Sequence, residues 1–586
     1  MKKKIIALIL GAALSASVLG GCGKIPGLDK FKTSETTDNT QAEESSEASS
    51  DSWMEEVQGG NGDASAVSSS AGSANFKVVD KRYYEYYKGD AVFDENDENS
   101  IDYSNKQIYE GNYSCVVLDD EYKDTYPNLY KALKDYADER FGKTDGFVKD
   151  AVDAAKEEYE YAAAEKVSFF GPYKDSETTY VTRFDDKLTS IYDYSYSFEG
   201  GAHGIYGATG LNYDTQTGKK LFIGDIIKVS KEELDEAIKA ELSKIGSFDD
   251  YYGTLDEKLA SYTLFEGNYD DMENISYEYK WYFSYDGLHI VFNVYELASY
   301  GDGMQDIILD YDAYPGIVKD EYIPENNGNY CVGEKLYLTS TQYDDSTSEL
   351  HFRYTPSEYD EIGDGYIYAD DLELVLNGKA ASADCAFCIG DDESLECYRV
   401  GANGGKEYIY VFIPYENDYC SLEVFEITGG DVKFVGSQNY HYLYGGYGDN
   451  ANTLPILTNT DNMRLGHVVD AIGTSTAYGI YEVGADGLPQ HVGEDYYIDW
   501  QCSSYITTKV DIEADIINED GSYVENGVTI PAGTHVDPFR TDRETRVDCR
   551  LDDGRIVRFN YTSFDYPASL KEGAAQDIFD GLEYAG

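Results

Sequence analysis

Basic residues are scarce in this chain: 46 Lys+Arg stand against 111 Asp+Glu over 586 residues, a formal charge of −65 with a pI of about 4.2. Recognition of a phosphate backbone needs clustered cations that release counterions. No run of Lys or Arg is longer than Lys2-Lys3-Lys4, so general nucleic-acid binding is excluded. Long apolar runs are also lacking, and nothing after Cys22 approaches the ~18 consecutive apolar residues of a membrane span. The seven histidines, at 203, 289, 351, 441, 467, 491 and 535, form no HExxH. There is no P-loop, no dinucleotide fingerprint after a strand and no GxSxG. Tyrosine is what abounds: 58 residues beside 23 Phe, in a chain that is 42% hydrophobic, supply ample material for packed β-rich cores. At roughly 100–200 residues per domain, the length suggests three domains, give or take one.

Met1 to Gly21 carry a basic start, an apolar run from Ile5 to Leu14, and small residues ending Leu19-Gly20-Gly21 before Cys22. This resembles a bacterial lipoprotein signal. The glycines suit the narrow site of the signal peptidase, and the Cys22 thiol takes the lipid. The apolar run is too short to span ~30 Å of hydrocarbon comfortably. The expectation is a signal peptide over 1–21, lipidation at Cys22, and a protein anchored on the extracytoplasmic face of the cell membrane. Residues 22–75 are rich in Ser, Thr, Glu, Asp, Gly and Ala. Such a segment cannot offset its ordering entropy and is expected to be a disordered acidic tether.

Eight cysteines remain after Cys22, an even number that permits disulfides in an exported chain. Cys385-Ala-Phe-Cys388 with Cys397 and Cys420 downstream leaves open a disulfide or plain buried thiols first, a zinc site second and redox catalysis last, since no βαβ context surrounds the CxxC. A zinc signature has two close pairs, whereas Cys397 and Cys420 stand alone.

Between residues 76 and 325 the pattern mixes helices with alternating strands. Tyr126 to Phe141 reads as an amphipathic helix ended by Gly142, and Gly146 to Lys166 as a second. Tyr180–Phe184, Leu188–Phe198 and Ile205–Tyr213 alternate with period two, Ser230 with Glu233 forms a capping box, and Asp286-Gly287 marks a hairpin. The expected class is α+β, an antiparallel sheet with helices on one face, followed by all-β domains. Residues 326–450 read as a β-sandwich. Residues 451–586 read as a β-rich C-terminal domain whose last strands resemble a small SH3-like barrel in pattern.

Two ordered stretches carry a further resemblance. Ser197-Phe198-Glu199-Gly200-Gly201-Ala202-His203-Gly204 is followed by Leu211 to Leu221 and Gly224-Asp225-Ile226-Ile227, and later comes Val294-Tyr295-Glu296-Leu297-Ala298-Ser299-Tyr300-Gly301-Asp302-Gly303. These resemble the DUF3298 domain, commonly preceded by a DUF4163 (PdaC-type) region, over about residues 105 to 320. The pair occurs in the extracytoplasmic part of a lysozyme-responsive anti-sigma factor and beside the catalytic domain of a peptidoglycan deacetylase. The resemblance implies an extracytoplasmic binding module whose partner is a cationic protein such as lysozyme, or peptidoglycan. Its implied binding residues are Gly200, Gly201, His203, Gly204, Tyr295, Glu296 and Tyr300. The sequence departs from these relatives in lacking the sigma-binding segment, the membrane span and any HxxxH pair, so no deacetylase metal site carries over.

Read on their own, the glycines of 200–204 permit positive φ or close backbone approach in a link between strands, with His203 pinning the link. The chemical alternative makes His203 a base for Ser195 or Ser197, without a nucleophile elbow or a carboxylate orienter. Asn212-x-Asp214-x-Gln216 and Asp94–Glu98 do not fit a calcium loop. The expectation is therefore a non-enzymatic surface protein without catalytic residues, metal or cofactor. The alternative is a peptidoglycan hydrolase or deacetylase whose site is assembled from distant residues.

Overall fold

The computed structural model describes residues 76–87, 107–165, 171–249, 253–268, 275–324, 329–343, 348–357, 366–390, 394–402, 404–414, 419–441, 463–503, 505–519 and 521–585, with isolated positions between them. The signal peptide, Cys22, the tether and Asp94–Glu98 lie outside the described residues. Among those described, no helix is long and apolar enough to cross a membrane.

The first unit is a five-stranded sheet in chain order, β1 (Phe76–Tyr86), β2 (Gln107–Leu118), β3 (Tyr173–Phe184), β4 (Leu188–Phe198) and β5 (Ile205–Asp214). Every pair is antiparallel except β2–β3, which run parallel because helix α1 (Pro127–Glu165) crosses over between them. Parallel neighbours need such a crossover.

Helix α1 corrects the expectation of two helices, since Gly142 and Gly146 lie inside one continuous element. Each glycine costs about 1 kcal/mol relative to alanine. Against that, the buried stripe Leu129, Leu133, Ala137, Thr144, Val148, Ala151, Ala155, Tyr159 and Ala162 runs unbroken past both of them. Leu129 and Leu133 pack with Val116, Val181, Ile191 and Leu211 on one face of the sheet. Tertiary burial outweighs the local break.

The opposite face presents Tyr180, Tyr192, Tyr194 and Ala208 to Tyr282 and Val291 of a second, three-stranded sheet (Lys280–Phe283, Gly287–Phe292, Gln305–Asp310). That small sheet turns Trp281, Phe283, Ile290 and Phe292 the other way, toward Leu234, Ile238 and Leu242 of α2 (Lys231–Ile245). Helix α2 starts at the expected capping box, in which the Glu233 amide donates to Ser230 Oγ and the Ser230 amide donates to the Glu233 carboxylate.

From Tyr330 onward the described residues are mostly strand, with sequential strands hydrogen-bonded to one another. One core unites Phe352, Leu372 and Leu374 with Val411, Ile413 and Phe425 from facing sheets, as in a sandwich. The last strands curl back on themselves through pairings such as Thr507 with Asp580 and Asp515 with Arg558, giving a nearly closed barrel around Ile512, Val547, Val557 and Phe559. The first unit touches this barrel: Arg82 donates to the Ile498 carbonyl at 2.8 Å, and Tyr86 meets Tyr505 edge to face.

All eight described cysteines are free thiols, which removes the disulfide option; Cys115, Cys331, Cys397, Cys420 and Cys549 are buried. Burial pushes the Cys385 thiol up to about 12, far from the acidified thiolate that redox chemistry requires.

Candidate functional site

The two sequence-singled loops come from different sheets. Gly200–Gly204 links β4 to β5, and Tyr295–Gly303 follows the small-sheet strand Gly287–Phe292. Packing of one sheet on the other brings the loops together. His203 lies flat on Tyr300, with ring centroids 3.7 Å apart and planes at 21°. Tyr206 meets Tyr300 edge-on at 5.7 Å, and Tyr295 lies 5.8 Å away from it. The result is a four-ring patch in which His203 is exposed and Tyr295 is 45% exposed.

Backbone conformation sets the loop shape. Gly200 and Gly201 have φ of 80° and 116°, which L side chains rarely adopt. Gly204 has ordinary φ and answers a different need, since a Cβ there would lie 2.5 Å from the Tyr196 ring. His203 Nδ1 is 2.9 Å from the Gly204 carbonyl oxygen, so it does pin the link.

Tyr295 has φ of 68°, an uncommon backbone state for a bulky residue. Its neighbour explains how that state is held. The Glu296 carboxylate turns inward, pairs with Lys280, and accepts hydrogen bonds from Tyr262 Oη and the Asn293 amide, each at 3.0 Å. Asn293 in turn accepts from the Ala208 amide of β5 at 2.8 Å. Glu296 is thus a buried anchor with its side chain only 4% exposed. The expectation that it contacts a ligand is corrected: it sits on the inner side of the loop whose outer side presents Tyr295.

No acid–base relay joins His203 to the serines. Ser195 Oγ donates to the Gly207 carbonyl, and His203 is committed to Tyr300 and Gly204. A Ser–His–Asp arrangement does exist elsewhere, where sequence reading missed it. Ser284 Oγ is 2.7 Å from His289 Nε2, and His289 Nδ1 is 2.9 Å from Asp306 Oδ1. The available sign was a histidine inside the apolar strand Leu288-His289-Ile290-Val291, a polar group that burial obliges to find partners.

Its electrostatics differ from those of a hydrolase relay. Burial works against the charged ring, but Asp306 and Asp286 outweigh it and raise His289 to about 9. The ring is then an imidazolium with both nitrogens donating. Ser284 spends its own proton on the Asp286 carboxylate. A base already protonated cannot deprotonate a serine.

The geometry can be set beside known proteins. A model of the family described as "Protein of unknown function (DUF3298)" matches residues 220–312, so the chain carries a DUF3298 domain there. That span holds Tyr295, Glu296 and Tyr300 but not the 200–204 link. A solved DUF3298 family member from Bacteroides fragilis is 19% identical, covering 42% of this chain and 95% of its own, with a TM-score of 0.30. A DUF3298 family protein from Pseudomonas aeruginosa is 17% identical over 43% of this chain and 98% of its own, with a TM-score of 0.28. No curated protein matches the chain.

Proposed function

We propose that this chain is a lipid-anchored, non-enzymatic surface protein that binds a cationic protein through the aromatic patch formed by His203, Tyr206, Tyr295 and Tyr300. The observation that carries the reading is Tyr295 held outward at positive φ by the buried Glu296 anchor, beside the Tyr300–His203 stack. Backbone strain maintained by a dedicated buried pair motivates a functional role for the residue it displays. Rigid tyrosines give large amphipathic contact area at low entropic cost. The charge of −65 steers a cation to the surface and repels polyanions. The lipoprotein-like signal before Cys22, the expected tether and the resemblance to the extracytoplasmic part of a lysozyme-responsive anti-sigma factor support the same reading. Lysozyme is therefore the first partner to try.

Calorimetry of the full chain with lysozyme at low and at physiological salt tests this. Binding through the patch survives a Debye length of ~8 Å, whereas bulk charge attraction vanishes. Fatty-acid labelling tests the anchor, and the Cys22→Ala chain should lose the label.

The second reading, a peptidoglycan-modifying enzyme acting through Ser284, His289 and Asp306, requires a neutral His289 against the charge that Asp306 and Asp286 favour. Turnover of purified peptidoglycan that Ser284→Ala abolishes would promote it over the first.

A further inference from the structure

A concave site lies where the sandwich meets the C-terminal unit, lined by none of the residues of the aromatic patch. Among the described residues, strand Lys433–His441 and strand Met463–Val469 share one paired position, His441 with Gly466, although each pairs along most of its length on its other side. The two strands therefore splay, and the gap opens as a cleft of about 560 Å³. That volume is within the roughly 300–1,000 Å³ of small-molecule sites, and domain junctions are a usual place for them.

The cleft's walls carry rings. His467 Nε2 is 2.7 Å from Tyr481 Oη, Tyr440 meets Tyr481 edge-on at 5.6 Å, and His491 stacks on Tyr496 at 4.3 Å with planes at 10°. Arg543 lies over the same Tyr496 ring at 4.8 Å and backs it. Space for this packing is made by Gly479, where a Cβ would lie 2.8 Å from the His491 ring. Gln438, Asn439, Gln490 and Asp486 add amide and carboxylate groups to the lining, and Asn439, Asp486 and Gln490 are exposed.

The chemistry of this lining selects a ligand class. Among the described residues that line the cleft there is no lysine or arginine, and Arg543, whose charge reaches His491 and Tyr481, is itself stacked over Tyr496, so the lining offers a phosphate or carboxylate ligand no direct ion-pair partner. Only Leu488 and Pro489 are aliphatic, too few for a lipid or other apolar molecule. A metal has no obvious seat, since His467 is engaged with Tyr481 and His491 Nε2 faces the Asp495 carbonyl. Planar amides that donate and accept side by side, a carboxylate acceptor, and aromatic rings match a molecule with vicinal hydroxyls on one edge and C–H groups on its faces.

We propose that this cleft is a saccharide-binding site taking an uncharged oligosaccharide, with Gln490 and Asp486 bonding its hydroxyls and the His467–Tyr481 pair lining its floor. Neither carboxamide nor carboxylate supports the fold heavily. Gln490 is exposed, and Asp486 Oδ1 accepts from the Leu488 amide at 3.1 Å, a bond that asparagine can also make.

The test is calorimetric titration of the full chain with chitotetraose, cellotetraose and maltotetraose. The expected result is saturable binding of at least one, with a dissociation constant of about 1 mM or tighter. Asp486→Asn combined with Gln490→Ala weakens it about tenfold or more, and Tyr295→Ala, in the separate aromatic patch, leaves it unchanged. Absence of binding by all three sugars, or binding that the double variant retains in full while its thermal melt is native, overturns the proposal. Loss of sugar binding in Tyr295→Ala would also overturn it, by placing the sugar at the other site.

Discussion

Lys280 and Glu296, on a small-sheet strand and the loop beyond it, form an ion pair with each side chain only 4% exposed. Burying two charges is costly, and the pair repays that cost only because Tyr262 and the Asn293 amide complete the carboxylate's hydrogen bonding. The pair fixes the inner side of the loop, and Tyr295 follows on the outer side.

Removing one partner leaves an uncompensated buried charge. Glu296→Ala should lower unfolding free energy by about 3–5 kcal/mol, measured by urea denaturation. Lys280→Met with Glu296→Met should recover most of the loss in stability.

His289 should report its own charge. Its ring is held above the ordinary 6.5, at about 9, by Asp306 and Asp286 against the opposing effect of burial. A raised folded-state value contributes stability that is complete below about pH 6.5 and is lost as pH rises through about 9. An NMR titration should show the His289 ring protonated at neutral pH. A midpoint near 6.5 would contradict the imidazolium assignment and revive a relay with Ser284.

Asp175 works in the opposite sense. It is 5% exposed, its Oδ2 has no hydrogen-bond partner among the described residues, and burial above all pushes it up to about 7. The neutral acid suits the fold, so the stability associated with it is present below about pH 3.8 and is lost as pH rises through about 7. Asp175→Asn should therefore stabilise the protein at mildly alkaline pH by on the order of 2 kcal/mol, with a much smaller effect in acid, as followed by thermal melts.

Thiol labelling separates the described cysteines by burial. Cys388, the one exposed among them, should react with maleimide in the native chain. Cys331, Cys397 and Cys549 should react only after denaturation, with no reductant needed.

Local signals in the sequence were read correctly where local chemistry decides the structure. The Ser230–Glu233 box and the Asp286-Gly287 hairpin need only a few neighbouring residues. The unbroken α1 was not legible, because what carries it through Gly142 and Gly146 is a buried stripe matched to a sheet formed elsewhere in the chain. At the site, glycines and tyrosines were identifiable as loop residues, but their meeting depends on one sheet packing upon another. The inward turn of Glu296 depends on Lys280, whose place in a buried strand gives no sign of a partner. The Ser284–His289–Asp306 contacts were missed for the same reason, since Asp306 arrives on a separate strand.

The most direct measurement is calorimetry with lysozyme at physiological salt, comparing the full chain with Tyr295→Ala/Tyr300→Ala. The patch account predicts measurable binding by the unaltered chain and at least a tenfold loss in the double variant, with net charge unchanged between them. Equal affinity in the two proteins, or no binding by either once charge is screened, would contradict it.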